Sequence, residues 1–452
     1  MTILEPQHPN RYLDRNFAPV REEVTAFDLP VEGQVPAGLA GRLLRIGPNP
    51  VLPGDPATYH WFTGTGMVHG VRLRDGRAEW YRNRFVADDT VTAALGREPT
   101  PGPRHGVGPN VVNTNVIGHA GATYGLVEAG GLPMLLDYEL RTIARTSFGG
   151  TLPGGFTAHP KLDPATGELH AVSYYWQDEG VRYLVVGADG AVRRTVDVPT
   201  PGRPMVHDMG LTSRYALILD LPVTFSMEAA QAGMPLPYRW DPGYGARVGL
   251  LPRDGGPDTV RWCELDRPCY VFHPVNAYDA PDGTVVVDVV RYDTIFATDR
   301  RGPGDGPPTL VRWTVDPAGG RVREQLLDDR AQEFPRHDER LVGARHRFAY
   351  CVTLDERGET GRLLKHDLAH GKSEEVDYGA GRVSLEAVFV PRTPDSAEDD
   401  GWLMSYVYDA TTDRSDVVIL HAQELSAGPV AVVHLPQRVP FGFHGNWVTD
   451  VS

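Results

Sequence analysis

The chain has 452 residues, 41% of them hydrophobic, and a net charge of −15 with a pI of about 5.5. That apolar content allows a sizeable core, while the acidic balance and the absence of any block of Lys and Arg argue against a nucleic-acid partner. Cys263, Cys269 and Cys351 are odd in number and form no CxxC pair, which argues against a disulfide framework and a thiolate zinc site. The opening MTILEPQHPN lacks the basic start and apolar run of a signal peptide. No apolar stretch reaches the ~18 residues of a membrane helix. The expected compartment is the cytoplasm.

Gly (50) and Pro (39) are spread along the chain and punctuate short segments rather than forming a linker. KLDPATGELHAVSYYW, VRYLVVGADGAVRRTVDVP, DAPDGTVVVDVVRYD and TVDPAGGRVREQLL each place an Asp/Gly or Pro/Gly turn between β-rich runs, the signature of a hairpin. Such signals recur from about residue 40 to the end. Short helices are expected only in PATYHWF and in SMEAAQAGM (226–234). Many short antiparallel strands need a way to limit exposed edges, and a closed ring of blades is one solution. No motif repeats at a fixed period, so a double β-sandwich fits this bulk pattern nearly as well. The stretch 223–240, VTFSMEAAQAGMPLPYRW, is apolar and Pro-interrupted. It reads as a loop packing on the barrel, or as an apolar rim that collects a greasy substrate from a membrane surface.

Sixteen histidines are present. His159, His207, His273 and His444 share a context of apolar residues before and a strand breaker or polar residue after. His119, His421 and His434 come close to it, so composition leaves seven candidates. Any one of them, taken alone, is more ordinary as a hydrogen-bonded structural residue. The gaps of 48, 66 and 171 residues between the first four lack the local spacing of a zinc finger or HExxH site. They make sense together only if each comes from a different blade and points at a common axis. In FGFHGNWV (441–448), Phe441, Phe443 and Trp447 read as a buried strand, in which His444 needs a partner.

Ten stretches, in order, resemble the carotenoid cleavage oxygenases, the family of apocarotenoid-, carotenoid- and stilbene-cleaving enzymes, and mark a bacterial member. They are RYLDRNFAPV, GRLLRIGPNP, HWFTGTGMVHG, TAHPKLDPATGELH, MVHDMGLTSRYALILDLPV, FHPVNAYD, EFPRHDERLVGARHRFAY, LEAVFVPR, EDDGWLMSYVYD and FGFHGNWV. The resemblance covers nearly the whole chain. It implies one all-β domain over 1–452, a seven-bladed β-propeller with a cap of loops and short helices over the iron-bearing face, and residues 1–40 as an N-terminal arm.

It also implies one Fe(II) per chain held by His159, His207, His273 and His444. Four neutral imidazoles leave the +2 charge intact, unlike a two-His-one-carboxylate site, at roughly 2 Å by analogy with zinc–imidazole bonds. By motif position Glu128, Glu333 and Glu386 would orient three of the four rings. Thr114 matches a threonine that crowds one vacant metal position. Gly64 and Gly66 serve a tight turn, and Thr63 and Thr65 stand where the family often has aspartates. The implied reaction is cleavage of an alkene by O2 into two carbonyl products. Family members that cleave hydroxylated stilbenes hold the phenol with a Lys and a Tyr. Here Val127 takes the Lys position and Phe85 falls at or near the Tyr position, which favours an apocarotenoid or carotenoid. The alternatives are a stilbene or phenylpropene, retinyl-ester isomerohydrolase chemistry, and a metal-free binding propeller.

Overall fold

The computed structural model describes residues 10–52, 54–107, 110–298, 300–302 and 305–450. Turn chemistry sets its strand lengths. All four expected hairpins form: Lys161–Leu162 with Leu169–Tyr174, Gly180–Val186 with Val192–Pro199, Tyr270–Asp279 with Val285–Tyr292, and Thr309–Asp316 with Arg321–Asp328. Gly190, in the GADG turn, has φ of 80°, a left-handed backbone that glycine adopts without steric cost. SMEAAQAGM forms a helix at Met227–Gln231, capped by the Ser226 side chain on the Ala229 amide. PATYHWF yields a turn and the 3-10 turn Trp61–Thr63 instead. A further short helix, Asp89–Ala94, starts at the Asp88 cap.

The architecture is all-β and propeller-like. Burial differs sharply between the strands of a sheet. Tyr270–Asp279 and Val285–Tyr292 are buried on both faces over most of their length, and Arg321–Asp328, two strands beyond Val285–Tyr292, is largely exposed. In another sheet the outer strand Lys372–Val376 is exposed, while Phe348–Leu354 is mostly buried. Inner strands packed between neighbouring sheets read as continuous apolar runs, because both their faces are covered. Phe389, Val390, Trp402 and Leu403 fill one large core, and Val287, Val289, Trp313 and Ile218 another.

Seven separate blades are not what the sheets show. Five sheets are blade-sized, with four or five strands, and one is a two-stranded ribbon. The remaining eight-stranded sheet runs from Met209–Leu211 to Tyr270–Asp279. Its two halves are fused by one parallel pair, Glu264 with Arg321.

The ends of the chain close the assembly. Gly445–Thr449 pairs with Gly41–Arg45, and Val31–Gly33 pairs with Ala431–Val433. Each match removes an open edge. Phe17, Trp61, Phe441 and Phe443 stack between these segments, with ring centroids 4.6–5.3 Å from Trp61. FGFHGNWV is therefore only partly strand: pairing begins at Gly445, one residue after His444, while Phe441 and Phe443 are buried in the preceding loop.

The glycines of WFTGTGMVHG are needed for close approach rather than for a special φ. A Cβ on Gly66 would lie 1.9 Å from the Val112 carbonyl oxygen, and one on Gly64 would lie 2.5 Å from the Tyr59 hydroxyl.

Candidate metal centre

Each of the four histidines sits in, or just before, an edge strand of its sheet: Lys161–Leu162, Met209–Leu211, Tyr270–Asp279 and Gly445–Thr449. One ring nitrogen from each of His159, His207, His273 and His444 lies within 4.8 Å of all the others, and all four residues are buried. The strands are irregular where their side chains must turn inward. Register shifts fall between Val271 and Pro274 around His273, between Glu333 and Arg336, and between Ser384 and Ala387 around Glu386. Bulges re-aim a side chain by interrupting the ladder. Ala129 (φ 58°) and Phe334 (φ 54°), which directly follow Glu128 and Glu333, have left-handed backbones. Such conformations cost about 1–3 kcal/mol each and persist only where the surroundings enforce them.

Three of the rings are held from behind. His207 Nδ1 lies 2.9 Å from both oxygens of Glu128, His273 Nδ1 2.7 Å from Glu333 Oε2, and His444 Nδ1 2.9 Å from Glu386 Oε1. These acceptors place the imidazole proton on Nδ1 and leave Nε2 as a lone pair. His207 Nε2 and His273 Nε2 then face each other at 3.3 Å. Two lone pairs at that distance repel unless a cation lies between them. His159 Nε2 is buried with no hydrogen-bond partner, an orphan a metal ion would satisfy. The donor set therefore fits a divalent metal bound by neutral imidazole.

At His159 and His444 the electrostatics favour the neutral ring. Burial, followed by the other three histidines, holds His159 well below the usual imidazole range. Burial also pushes His444 down to about 3 despite Glu386. For His273 burial works downward, but Glu333 outweighs it and the net shift is upward. The Glu386 carboxyl is held far below the carboxylate range: burial opposes this, while Arg336, His444 and Arg45 outweigh it.

Sequence reasoning missed the groups behind these carboxylates. Tyr174 donates to Glu128 at 2.9 Å, Tyr292 donates to Glu333 at 3.3 Å, and Arg336 lies 3.3 Å from Glu386. Burial first, then the adjacent glutamate, holds both tyrosines protonated as donors. Nothing in SYYW or VRYD distinguishes them from ordinary strand residues. Asp208 was also missed. It lies 3.8 Å from His159 Nδ1 and binds Lys161 at 2.8 Å.

A cavity of about 720 Å³ opens onto His207, His273 and His444. Thr114 and Val127 line it. The Thr114 hydroxyl donates to Asn113, and the Thr114 carbonyl accepts from the His444 amide. Phe85 is not in this wall: it packs with Met67 and Val91 in a separate small cluster. Its strand pairs Phe85 with Met67. Trp61, Phe62, Trp176, Phe225 and Tyr238 are part of the cavity's aromatic wall. The segment 223–240 supplies Phe225, Met227, Ala230 and Pro235–Tyr238 to it. The three remaining histidine candidates point elsewhere: His119 meets the Gly187 carbonyl, His434 meets Asp416, and His421 meets Arg392.

The model of the family described as retinal pigment epithelial membrane protein matches residues 17–449. A carotenoid cleavage oxygenase of Mycobacterium tuberculosis (strain CDC 1551 / Oshkosh) is 48% identical, over 99% of both chains. Among solved structures, the Pseudomonas brassicacearum lignostilbene dioxygenase superposes with a TM-score of 0.88 at 30% identity, covering 99% of this chain and 100% of its own. The cobalt-substituted Synechocystis ACO, an apocarotenoid oxygenase, gives 0.85 at 28% identity, with 96% and 97% covered.

Proposed function

The chain belongs to the carotenoid cleavage oxygenase family, and from that premise we propose that His159, His207, His273 and His444 hold a single Fe(II), and that the enzyme cleaves a carbon–carbon double bond of an apocarotenoid or carotenoid with O2. It is an alkene-cleaving oxygenase. The products are aldehydes or ketones. When bound, the metal supplies the binding and activation of dioxygen.

The residues around it do the rest. Glu128, Glu333 and Glu386 keep three imidazoles in the right tautomer and orientation. Thr114, with its hydroxyl committed to Asn113, presents no free donor beside the centre. The aromatic wall excludes water and lays an extended apolar chain past the histidines. We also read residues 10–450 as one domain with residues 10–40 as its N-terminal arm. In this reading the eight-stranded sheet is two blades bridged at Glu264 and Arg321, which brings the blade count to seven.

The observation that carries the substrate reading is the composition of the cavity wall. Among the described lining residues there is no Lys, Arg or Asp, and its two carboxylates, Glu128 and Glu333, are taken up by His207, His273, Tyr174 and Tyr292. Val127 stands where a phenol-binding lysine would be. A phenol buried there without a partner loses about 1–3 kcal/mol, and a polyene does not. Because Phe85 lies outside the wall, this argument rests on Val127 and the lining alone.

A stilbene or phenylpropene is the second reading, favoured by the likeness to the lignostilbene dioxygenase. A competition assay decides: Fe(II)-loaded protein in air with an apocarotenal and a hydroxystilbene together, products identified by mass. Cleavage of the apocarotenal alone supports the first reading, and cleavage of the stilbene alone replaces it with the second.

The hairpin and helix of 223–240 form part of the cavity wall, and Met227 there is exposed. We read this edge as a rim through which an apolar substrate enters from a membrane surface. No described helix is long and apolar enough to cross a membrane. Phe225→Ser with Met227→Ser is expected to weaken liposome association. A wild type that never binds liposomes removes the rim reading.

A further inference from the structure

The fourth histidine has a partner unlike the other three. His207, His273 and His444 each meet a glutamate at 2.7–2.9 Å. His159 Nδ1 instead looks onto Asp208 Oδ2 at 3.8 Å, and its Nε2 is the orphan that faces the centre. Asp208 is almost wholly buried and pinned at both oxygens. Oδ1 accepts from the Met209 amide at 2.6 Å, and Oδ2 accepts from Lys161 Nζ at 2.8 Å. Lys161 lies two residues after His159, and Asp208 one residue after His207. The ion pair thus ties together two ligand-bearing segments from neighbouring sheets. It lines a separate cavity of about 200 Å³, whose wall also includes His159, His273 and His444.

Building on the metal-centre reading above, we propose that Asp208 is the positioning residue of His159, and that Lys161, by neutralising Asp208, makes His159 the weakest electron donor of the four ligands. The charge distribution supports this. Glu128 and Glu333 receive only neutral tyrosine hydroxyls besides histidine and main-chain amide donors. Glu386 and Asp208 are each offset by a cation, Arg336 and Lys161. A carboxylate behind an imidazole raises its basicity. A carboxylate shared with an ammonium, and standing 3.8 Å away, raises it least. The four ligands are then graded, with His207 and His273 the strong donors and His159 the weak one.

The test uses Co(II) as the probe, in titrations of the full-length metal-free protein with the visible absorption of the bound ion as a second readout. Asp208→Asn keeps the cap on Met209 but removes the charge. It is expected to weaken Co(II) binding about tenfold and to shift the visible bands. Lys161→Met frees the carboxylate for His159. It is expected to shift the bands in the opposite direction and to tighten binding. A cross-link that served only the fold would lower the melting temperature in both variants and leave the bands in place, which overturns the proposal. Shifts of the same sign in both variants also overturn it. Should Asp208→Asn fail to fold, Lys161→Met decides alone: unchanged or weaker Co(II) binding overturns the proposal. A wild type that binds neither Co(II) nor Fe(II) defeats the metal-centre reading itself, an outcome distinct from these.

Discussion

His273 and His444 are buried side chains in the four-histidine cluster, and His273 Nε2 meets His207 Nε2 at 3.3 Å. Replacing either by Ala is expected to abolish stoichiometric iron, read by elemental analysis of the purified protein. Retained iron and activity would remove that residue from the ligand set. Glu333→Gln keeps the volume and one acceptor but loses the charge that His273 and Tyr292 share. Iron affinity is expected to fall about 10–100-fold, measured by competition with a chelator, and an unchanged affinity would free Glu333 of that role. Glu128, Glu333 and Glu386 were singled out in the sequence by motif position. Tyr174, Tyr292 and Asp208 were not, because a hydroxyl or carboxylate on a strand carries no local mark of the sheet it will face.

At the scale of elements, three edge strands are kinked where they supply His273, Glu333 and Glu386. The hairpin that holds His273 was legible from its turn residues, since Gly and Asp at fixed offsets dictate backbone geometry within a few residues. The kinks were not legible, because a bulge is a mismatch between two strands. The aromatic group of Tyr12, Phe17, Trp61, Phe441 and Phe443 joins the N-terminal arm to the loop carrying His444. Trp61→Ala is expected to cost about 3–5 kcal/mol, read as a lower urea midpoint. A loss below about 1 kcal/mol would show that the arm packs independently of this ring.

For the whole molecule, stability should depend on pH through buried histidines outside the four-histidine cluster. Burial, then nearby arginines, pushes His69 down to about 3. Burial, then Arg253, pushes His170 down to about 4, with Asp163 opposing. Burial also brings His366 to about 4, against Asp328. In the unfolded chain each takes up a proton below about pH 6.5, and in the folded one only near pH 3–4. The unfolded state therefore binds more protons in between, so stability falls as pH drops from 6.5 towards 4. Each residue contributes up to about 1.4 kcal/mol per pH unit. Urea midpoints of the metal-free protein at pH 7, 6, 5 and 4 check this, and a flat series would contradict it. Deleting 440–452 should leave no folded protein by circular dichroism, because Gly445–Thr449 closes a sheet begun at Gly41. A folded, truncated chain would show that this closure is dispensable.

The sequence by itself determined the all-β class, the hairpins, and a set of histidines and glutamates in motifs that resemble one family. These are local properties: turn geometry and short ordered motifs survive in a linear reading. The tertiary structure brought together the four of seven similar histidines that the resemblance had named, since gaps of 48, 66 and 171 residues carry no distances until the ring closes. It alone removed Phe85 from the cavity wall, brought 223–240 into it, and set Asp208 behind His159. Each of these depends on how separate sheets pack around a common axis, a relation between segments that no single segment encodes.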